Sequence, residues 1–154
     1  MINPAAVAKV TSHIGDALSH GGRILASGGG LEHGKFRRAV LIGEANPDML
    51  LTREETFGPV APLFRFGSEN EALELANDTP FGLASYFYTR DLSRACRVAE
   101  RLEAGMVALN AGSVAMEMAP FGGVKQSGLG REGGHAGIEE YLETKACHIG
   151  GLDL

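Results

Sequence analysis

The chain has 154 residues, 44% of them hydrophobic, a formal net charge of −5 and two cysteines. A chain of this length buries about 70% of the surface its unfolded form exposes, enough for one ordinary core, so a single domain is expected. Its 14 basic and 19 acidic residues are interleaved, which leaves no electrostatic footprint for nucleic acid or an anionic membrane and makes small molecules and protein the expected partners.

Pro4, Lys9, His13 and Asp16 interrupt every apolar run near the start. Nowhere do about 18 apolar residues follow one another, so neither a signal peptide nor a transmembrane helix is expected and a cytoplasmic address follows. Cys96 and Cys147 suit neither a disulfide framework nor the close pairs of a zinc site and read as buried thiols or strand residues. The histidines at 13, 20, 33, 135 and 148 include no pair four apart, so no metal site is expected. Twenty-two glycines without an internal repeat imply many tight turns or close backbone approaches.

The elements follow in order. Asn3 caps a first helix, Pro4 stands where a missing N–H costs nothing, Val7, Val10, Ile14 and Leu18 recur at helical spacing, and Gly21-Gly22 ends the run. Arg23 to Ala26 and Ala39 to Ile42 read as short strands around the turn Gly28-Gly29-Gly30, and Val60 to Phe66 as a third. Ser68-x-x-Glu71 is a capping box opening a helix through Ala72, Leu75 and Ala76. A strand follows over Ala84 to Tyr88, then a helix capped by Asp91 with an apolar stripe of Leu92, Ala95, Cys96, Ala99 and Leu102, ended by Gly105 before the strand Met106 to Leu109. This β-α-β-α-β run has crossovers long enough for parallel pairing, and a three-layer parallel α/β sheet is the expected fold. Asn110 to Gly133 reads as a long loop, and loops of that length are usually functional. A helix near Gly134 to Leu142 and a last strand, Thr144 to Ile149, close the chain, the strand with an open edge that invites another chain.

Gly128-x-Gly130-x-x-Gly133 matches the dinucleotide fingerprint letter for letter. No strand feeds directly into it, and the acidic residue expected about 20 positions later is missing, Asp153 alone standing there, so it reads as a glycine turn that lets two backbones touch. Glu54-Glu55-Thr56-Phe57-Gly58-Pro59 sets adjacent carboxylates before an aromatic and a Gly-Pro turn. It is open to two readings: a solvated acidic turn with a core phenylalanine, or a carboxylate for ribose hydroxyls beside a ring for a nicotinamide face. Pro120-Phe121-Gly122-Gly123 puts a ring at a tight approach, where it lines a pocket or fills a core.

Glu54–Phe66, Asn77–Leu92, Gly105–Asn110 and Pro120–Glu132 together resemble, in order and spacing, successive signatures of the aldehyde dehydrogenase superfamily. The resemblance runs from about Asn3 to Gly151 and looks like the C-terminal third of such an enzyme, and the ending from Gly137 to Leu152 is most like the succinate-semialdehyde dehydrogenases. It implies oxidation of succinic semialdehyde to succinate with hydride transfer to NAD or NADP. Glu55 then resembles the residue that holds the nicotinamide ribose, Phe57 the ring beside the nicotinamide, and Phe121 an aromatic of the aldehyde pocket, so that Phe57 and Phe121 are expected as walls of one site. Glu132 resembles a proton-relaying carboxylate screened from bulk solvent, its plainer alternative being an ion pair with Arg131. Arg131 and Glu143 look like a structural pair near a subunit interface, and Thr144–Ile149 like a strand that crosses to a partner in a homo-oligomer.

Where the semialdehyde enzymes usually offer the substrate carboxylate a hydroxyl, this sequence has Ala115, with Ser113 two residues away as a substitute. The lost hydrogen bond to a charged group is worth roughly 1.5–3 kcal/mol. The family's thiolate nucleophile, glutamate base, oxyanion-hole asparagine and Rossmann domain all precede the part resembled here, and Met1-Ile2-Asn3 falls where the family continues, as in a truncated reading frame or an isolated domain. The division implied is 1–143 as the C-terminal part of the catalytic domain and 144–154 as oligomerisation strand and tail. Alone the chain is expected to bind no cofactor and to be inactive; the alternative is a non-catalytic module that oligomerises through its last strand.

Overall fold

In a computed structural model that describes residues 1–30 and 32–151, helix α1 (Pro4–Ser19) begins as its sequence dictates: Asn3 Oδ1 accepts the Ala6 N–H at 2.8 Å and Pro4 occupies the first turn. Its buried face is Val7, Val10, His13 and Ala17. Ile14 only flanks that face and Leu18 is exposed, so the expected stripe is rotated by about one residue and has a histidine in its middle. The helix stops at Gly21, whose φ of 89° no residue with a β-carbon adopts readily.

The chain folds as two compact units, Met1–Leu75 and Ala76–Leu154, a division that falls inside helix α3 (Glu69–Asn77). In the first unit β2 (Val40–Gly43) is the middle strand of three, antiparallel to β1 (Arg23–Ser27) and parallel to β3 (Val60–Pro62). Ile42 packs with Ala17 and Met49 in a small core, to which Ile14, Val40, Leu51 and Val60 add their flanks. Short helix α2 (Leu50–Arg53) has no cap of its own at Met49; Asp16 of α1 accepts the Leu50 N–H at 2.7 Å instead. Ser68 Oγ accepts from the Glu71 N–H as the capping box requires, whereas the Glu71 carboxylate accepts from the N–H of Gly67, one residue before the cap.

The second unit is built on a parallel pair, β5 (Ala84–Phe87) and β6 (Met106–Leu109), joined by helix α4 (Leu92–Arg101). Asp91 caps α4 through the Arg94 N–H at 3.0 Å. The buried residues of α4 are Ala95 and Val98, whereas Leu92, Cys96 and Ala99 are exposed. A short antiparallel pair, β4 (Phe81–Gly82) with β7 (Val124–Lys125), breaks up the expected long loop, and a 3-10 helix over Ala136–Tyr141 takes the place of the expected α-helix.

The class is α/β with parallel pieces, as expected, but the pieces are three separate sheets rather than one. The first strand runs antiparallel to the second, and among the described residues between them no crossover helix of the kind parallel pairing requires is found. Thr144–Ile149 forms no strand: it is exposed throughout and pairs with no described segment, because a strand needs a ladder partner and the described residues supply none there. Both cysteines are exposed rather than buried. Residues 152–154, including Asp153 and the end of the expected tail, lie outside the described residues. Among the described residues no helix is long and apolar enough to cross a membrane.

Candidate functional site

In the first unit the acidic-aromatic motif links α2 to β3. The chain leaves α2 extended at Glu54 (φ −122°, ψ 134°), reverses at Phe57 (φ 47°) and enters the sheet where the Pro59 carbonyl accepts the Val40 N–H at 2.8 Å. A left-handed phenylalanine is uncommon and costs on the order of 1–3 kcal/mol, so its surroundings must impose it. Gly58 shows how: a β-carbon there would lie 2.4 Å from a Val10 methyl, so the loop backbone sits directly on α1.

A buried histidine completes the attachment. His13, 2% exposed, reaches Thr56 Oγ1 with Nδ1 at 2.9 Å and Glu54 Oε2 with Nε2 at a longer 3.4 Å. A carboxylate only accepts, so Nε2 carries a hydrogen; in the neutral ring Nδ1 then accepts from the Thr56 hydroxyl, and both nitrogens are satisfied. Lys9 adds a looser contact to Glu54 at 3.8 Å. Glu54 and Thr56 are thus tied down, while the residues alternating with them, Glu55 and Phe57, are exposed, Phe57 to 86%. Among the described residues the Glu55 carboxylate has no hydrogen-bond or ion-pair partner. A free carboxylate and a free ring on a firmly held backbone can accept hydroxyl hydrogens and cover a flat heterocycle.

In the second unit the remaining motifs hold one another. Gly82 N–H donates to Ser127 Oγ at 2.9 Å, Gln126 N–H to the Pro80 carbonyl at 2.9 Å, and Gly105 N–H to the Gly82 carbonyl at 3.0 Å. A β-carbon on Gly105 would stand 2.0 Å from the Gly122 oxygen. Lys125 donates to the carbonyls of Asn77 at 2.8 Å and Thr79 at 3.2 Å and pairs with Glu103. Asn110, at φ 53°, bonds the Thr89 backbone through both ends of its amide.

Phe121 and Glu132 face each other across an isolated antiparallel bridge, exchanging N–H to carbonyl bonds of 2.7 Å in both directions. Directly opposed residues project side chains from the same face. Phe121 is 39% exposed, so it neither fills a core nor lies fully open. Glu132 is exposed in this chain rather than screened; Phe121 engages its backbone and leaves its side chain open. Its alternative pairing with Arg131 does not form either: the Arg131 guanidinium turns to the carbonyls of Gly123 at 2.8 Å and Gly130 at 2.7 Å. For the same reason Arg131 makes no ion pair with Glu143 within the chain, while its backbone N–H donates to Glu140 Oε1 at 3.1 Å. Ser113 and Ala115 are both exposed, and Ser113 Oγ accepts the Ala115 N–H at 3.3 Å, a bond that leaves the hydroxyl hydrogen available.

The glycine fingerprint is a turn, as expected: Gly128, Gly130 and Gly133 all have positive φ, with a two-residue antiparallel strand before them and a single 3-10 segment after, not a βα unit. Sequence reasoning passes over the roles of His13 and Lys125. The signal for His13 is its place between Val10 and Ala17 on a helical face, where a polar side chain must find partners.

Residues 1–147 match the Aldehyde dehydrogenase family. The chain is 57% identical over 156 residues to 3-sulfolactaldehyde dehydrogenase of Pseudomonas putida, covering 99% of this chain and 32% of that protein. It is 52% identical over 151 residues to the NADP(+) succinate-semialdehyde dehydrogenase of Escherichia coli, covering 97% of this chain and 31% of that protein. The crystal structure of succinate-semialdehyde dehydrogenase from Burkholderia pseudomallei matches with a TM-score of 0.86 and 57% identity over 92% of this chain and 30% of that one. The chain spans about a third of the length of the curated relatives it matches.

Proposed function

Because the chain belongs to the aldehyde dehydrogenase family, we propose that it serves, as the part toward the C-terminal end of a longer NAD(P)-dependent enzyme, to hold the nicotinamide end of the cofactor and one wall of the aldehyde site. The overall reaction joins an aldehyde, water and oxidised dinucleotide to give a carboxylate, reduced dinucleotide and protons. The dinucleotide, when bound, supplies the hydride acceptor. Glu55 accepts hydrogen bonds from the ribose hydroxyls, and Phe57 lays its ring against the nicotinamide. Phe121 gives the aldehyde an apolar wall, and Glu132, opposite it on the same bridge, carries a proton toward solvent or the reacting centre. The observation that carries this reading is the exposed, left-handed Phe57 beside a Glu55 carboxylate that has no partner among the described residues, on a loop whose alternate side chains, Glu54 and Thr56, are fastened.

The aldehyde is a short one with an anion at its far end, succinic semialdehyde first. The substrates named for two relatives, sulfolactaldehyde and succinate semialdehyde, share that remote anion. Ser113 donates its free hydroxyl hydrogen to it where Ala115 cannot. The chain by itself oxidises nothing: Cys96 lies exposed on α4 and Cys147 in the exposed end segment, and among the described residues neither has the histidine or carboxylate partner that activates a thiol. Thr144–Ile149, exposed and unpaired here, adds a strand to a neighbouring subunit, and Arg131 and Glu143 lie near that junction.

In the complete enzyme that carries this chain, Glu55→Ala raises the dinucleotide KM about tenfold or more, the worth of one or two charge-assisted hydrogen bonds. An unchanged KM overturns the assignment of Glu55, and ordinary dinucleotide reduction by the purified 154-residue chain overturns the inactivity of the chain alone.

A further inference from the structure

We propose that His13 is a positioning residue for the cofactor loop: its buried imidazole grips Glu54 and Thr56, the two neighbours of Glu55, and so fixes the backbone that presents Glu55 and Phe57. The inference rests on the preceding assignment of those two residues to the dinucleotide.

Three observations converge on it. First, His13 is the one buried polar side chain of the described residues, at 2% exposure, on a helix face otherwise made of Val7, Val10 and Ala17. A polar group there costs stability unless its nitrogens are engaged, and aliphatic packing would serve a core better. Second, both its partners come from the same loop, about forty residues away, and they bracket Glu55. A grip on residues 54 and 56 restricts the backbone between them and sends side chain 55 away from α1. Third, the same loop carries a left-handed Phe57 that does not hold that conformation by preference. Gly58 against Val10 fastens the far side of that residue, and His13 fastens the near side.

The two grips differ in strength. The Thr56 bond, at 2.9 Å, has ordinary hydrogen-bond geometry, whereas the Glu54 contact at 3.4 Å is long and half exposed. Thr56 is therefore the dominant anchor. The His13 ring bonds to neither Glu55 nor Phe57, so it acts on the cofactor through the loop alone.

The test has two arms. In the full 154-residue chain, labelled with nitrogen-15, the wild-type amides of Glu55 and Phe57 should show order parameters near those of rigid backbone, about 0.85, and Thr56→Val, His13→Ala and His13→Gln should lower them toward about 0.6. Residues 84–109 of the second unit act as the internal control. Thr56→Val removes the hydroxyl but keeps the side chain's shape, so it remains informative if a His13 variant fails to fold. Thr56→Ser, which restores the hydroxyl, should return the loop to wild-type order. In the complete enzyme, Thr56→Val should raise the dinucleotide KM about tenfold with kcat and the aldehyde KM within a factor of about two, the loss of one hydrogen bond's worth of positioning, and Thr56→Ser should rescue it; a purely structural loss would lower active enzyme and leave KM in place.

Unchanged order at 55 and 57 in Thr56→Val and in every folded His13 variant overturns the inference, whatever the enzyme does. A loosened loop with an unchanged dinucleotide KM overturns instead the assignment of Glu55 and Phe57 on which it stands. Failure of Thr56→Ser to restore the loop shows that the hydroxyl is not the anchor and also overturns the inference.

Discussion

The two motif regions differ in how closely backbone meets backbone. The loop of residues 54–59 is tied to α1 by side chains, the His13 imidazole and a Val10 methyl among them, while backbone hydrogen bonds at its two ends join it to α2 and β2. The segments Asn77–Gly82, Gly105–Asn110 and Pro120–Glu132 add direct backbone contacts to their side-chain braces from Ser127, Lys125, Asn110 and Arg131: a two-residue strand pair, an isolated bridge, and a contact between Gly105 and Gly122 too close for a methyl group. Side-chain attachment leaves a loop adjustable by single conservative substitutions. Backbone attachment leaves it sensitive to any added atom at the contact.

Gly105→Ala puts that contrast under the heaviest load. Its β-carbon would meet a backbone oxygen at 2.0 Å, and neither side has a flexible side chain to move, so thermal or denaturant unfolding should show a loss of about 3 kcal/mol or more. The order of Glu55 and Phe57 should be untouched wherever the variant folds. Ser127→Ala is the next largest. It takes the acceptor from the N–H of Gly82, a buried residue, and should cost about 2 kcal/mol in denaturant melts. The smallest effect is expected from Asn3→Ala, which removes the cap of α1 but not the attachment of the loop to it; unfolding should show a loss of about 1 kcal/mol, with unaltered order at residue 55. A large change in loop order from that substitution would mean that α1 frays far enough to reach His13.

Local signals make much of this architecture readable. Met106–Leu109 is legible to the residue, and the caps at Asn3, Asp91 and Ser68 all form, because such features depend on a few neighbouring atoms. The faces of helices are less legible. Counting apolar letters puts Leu92 and Cys96 on the inner side of α4, but burial follows the direction in which the helix meets its neighbours, and the residues that meet them are Ala95 and Val98. The same habit skips His13, since an inventory of apolar positions has no place for a polar one that is buried. Thr144–Ile149 reads as a strand by its letters yet forms none, since composition cannot supply the second half of a ladder.

The candidate site is legible as letters and not as attachments. Glu55 and Phe57 stand out only because the motif resembles a family's, and nothing in six residues says that His13 lies behind them. Phe121 and Glu132 stand out separately in the sequence, and their exchange of two backbone hydrogen bonds emerges only once the turn between them is folded. Arg131 shows the reverse case: its charge suggests an acidic partner, but a planar guanidinium set among glycines finds carbonyl oxygens nearer than any carboxylate.

The setting of Lys125 bears on its chemistry. Its ammonium group donates to two carbonyls and pairs with a carboxylate. Its nitrogen is engaged by three acceptors and less exposed than that of Lys9, so acylating reagents should find the amines of Lys9, Lys35 and Lys145 well before this one. A lysine among the glycines of the Pro120–Glu132 segment thus serves as a brace that reaches the backbone of residues 77 and 79 and the carboxylate of Glu103.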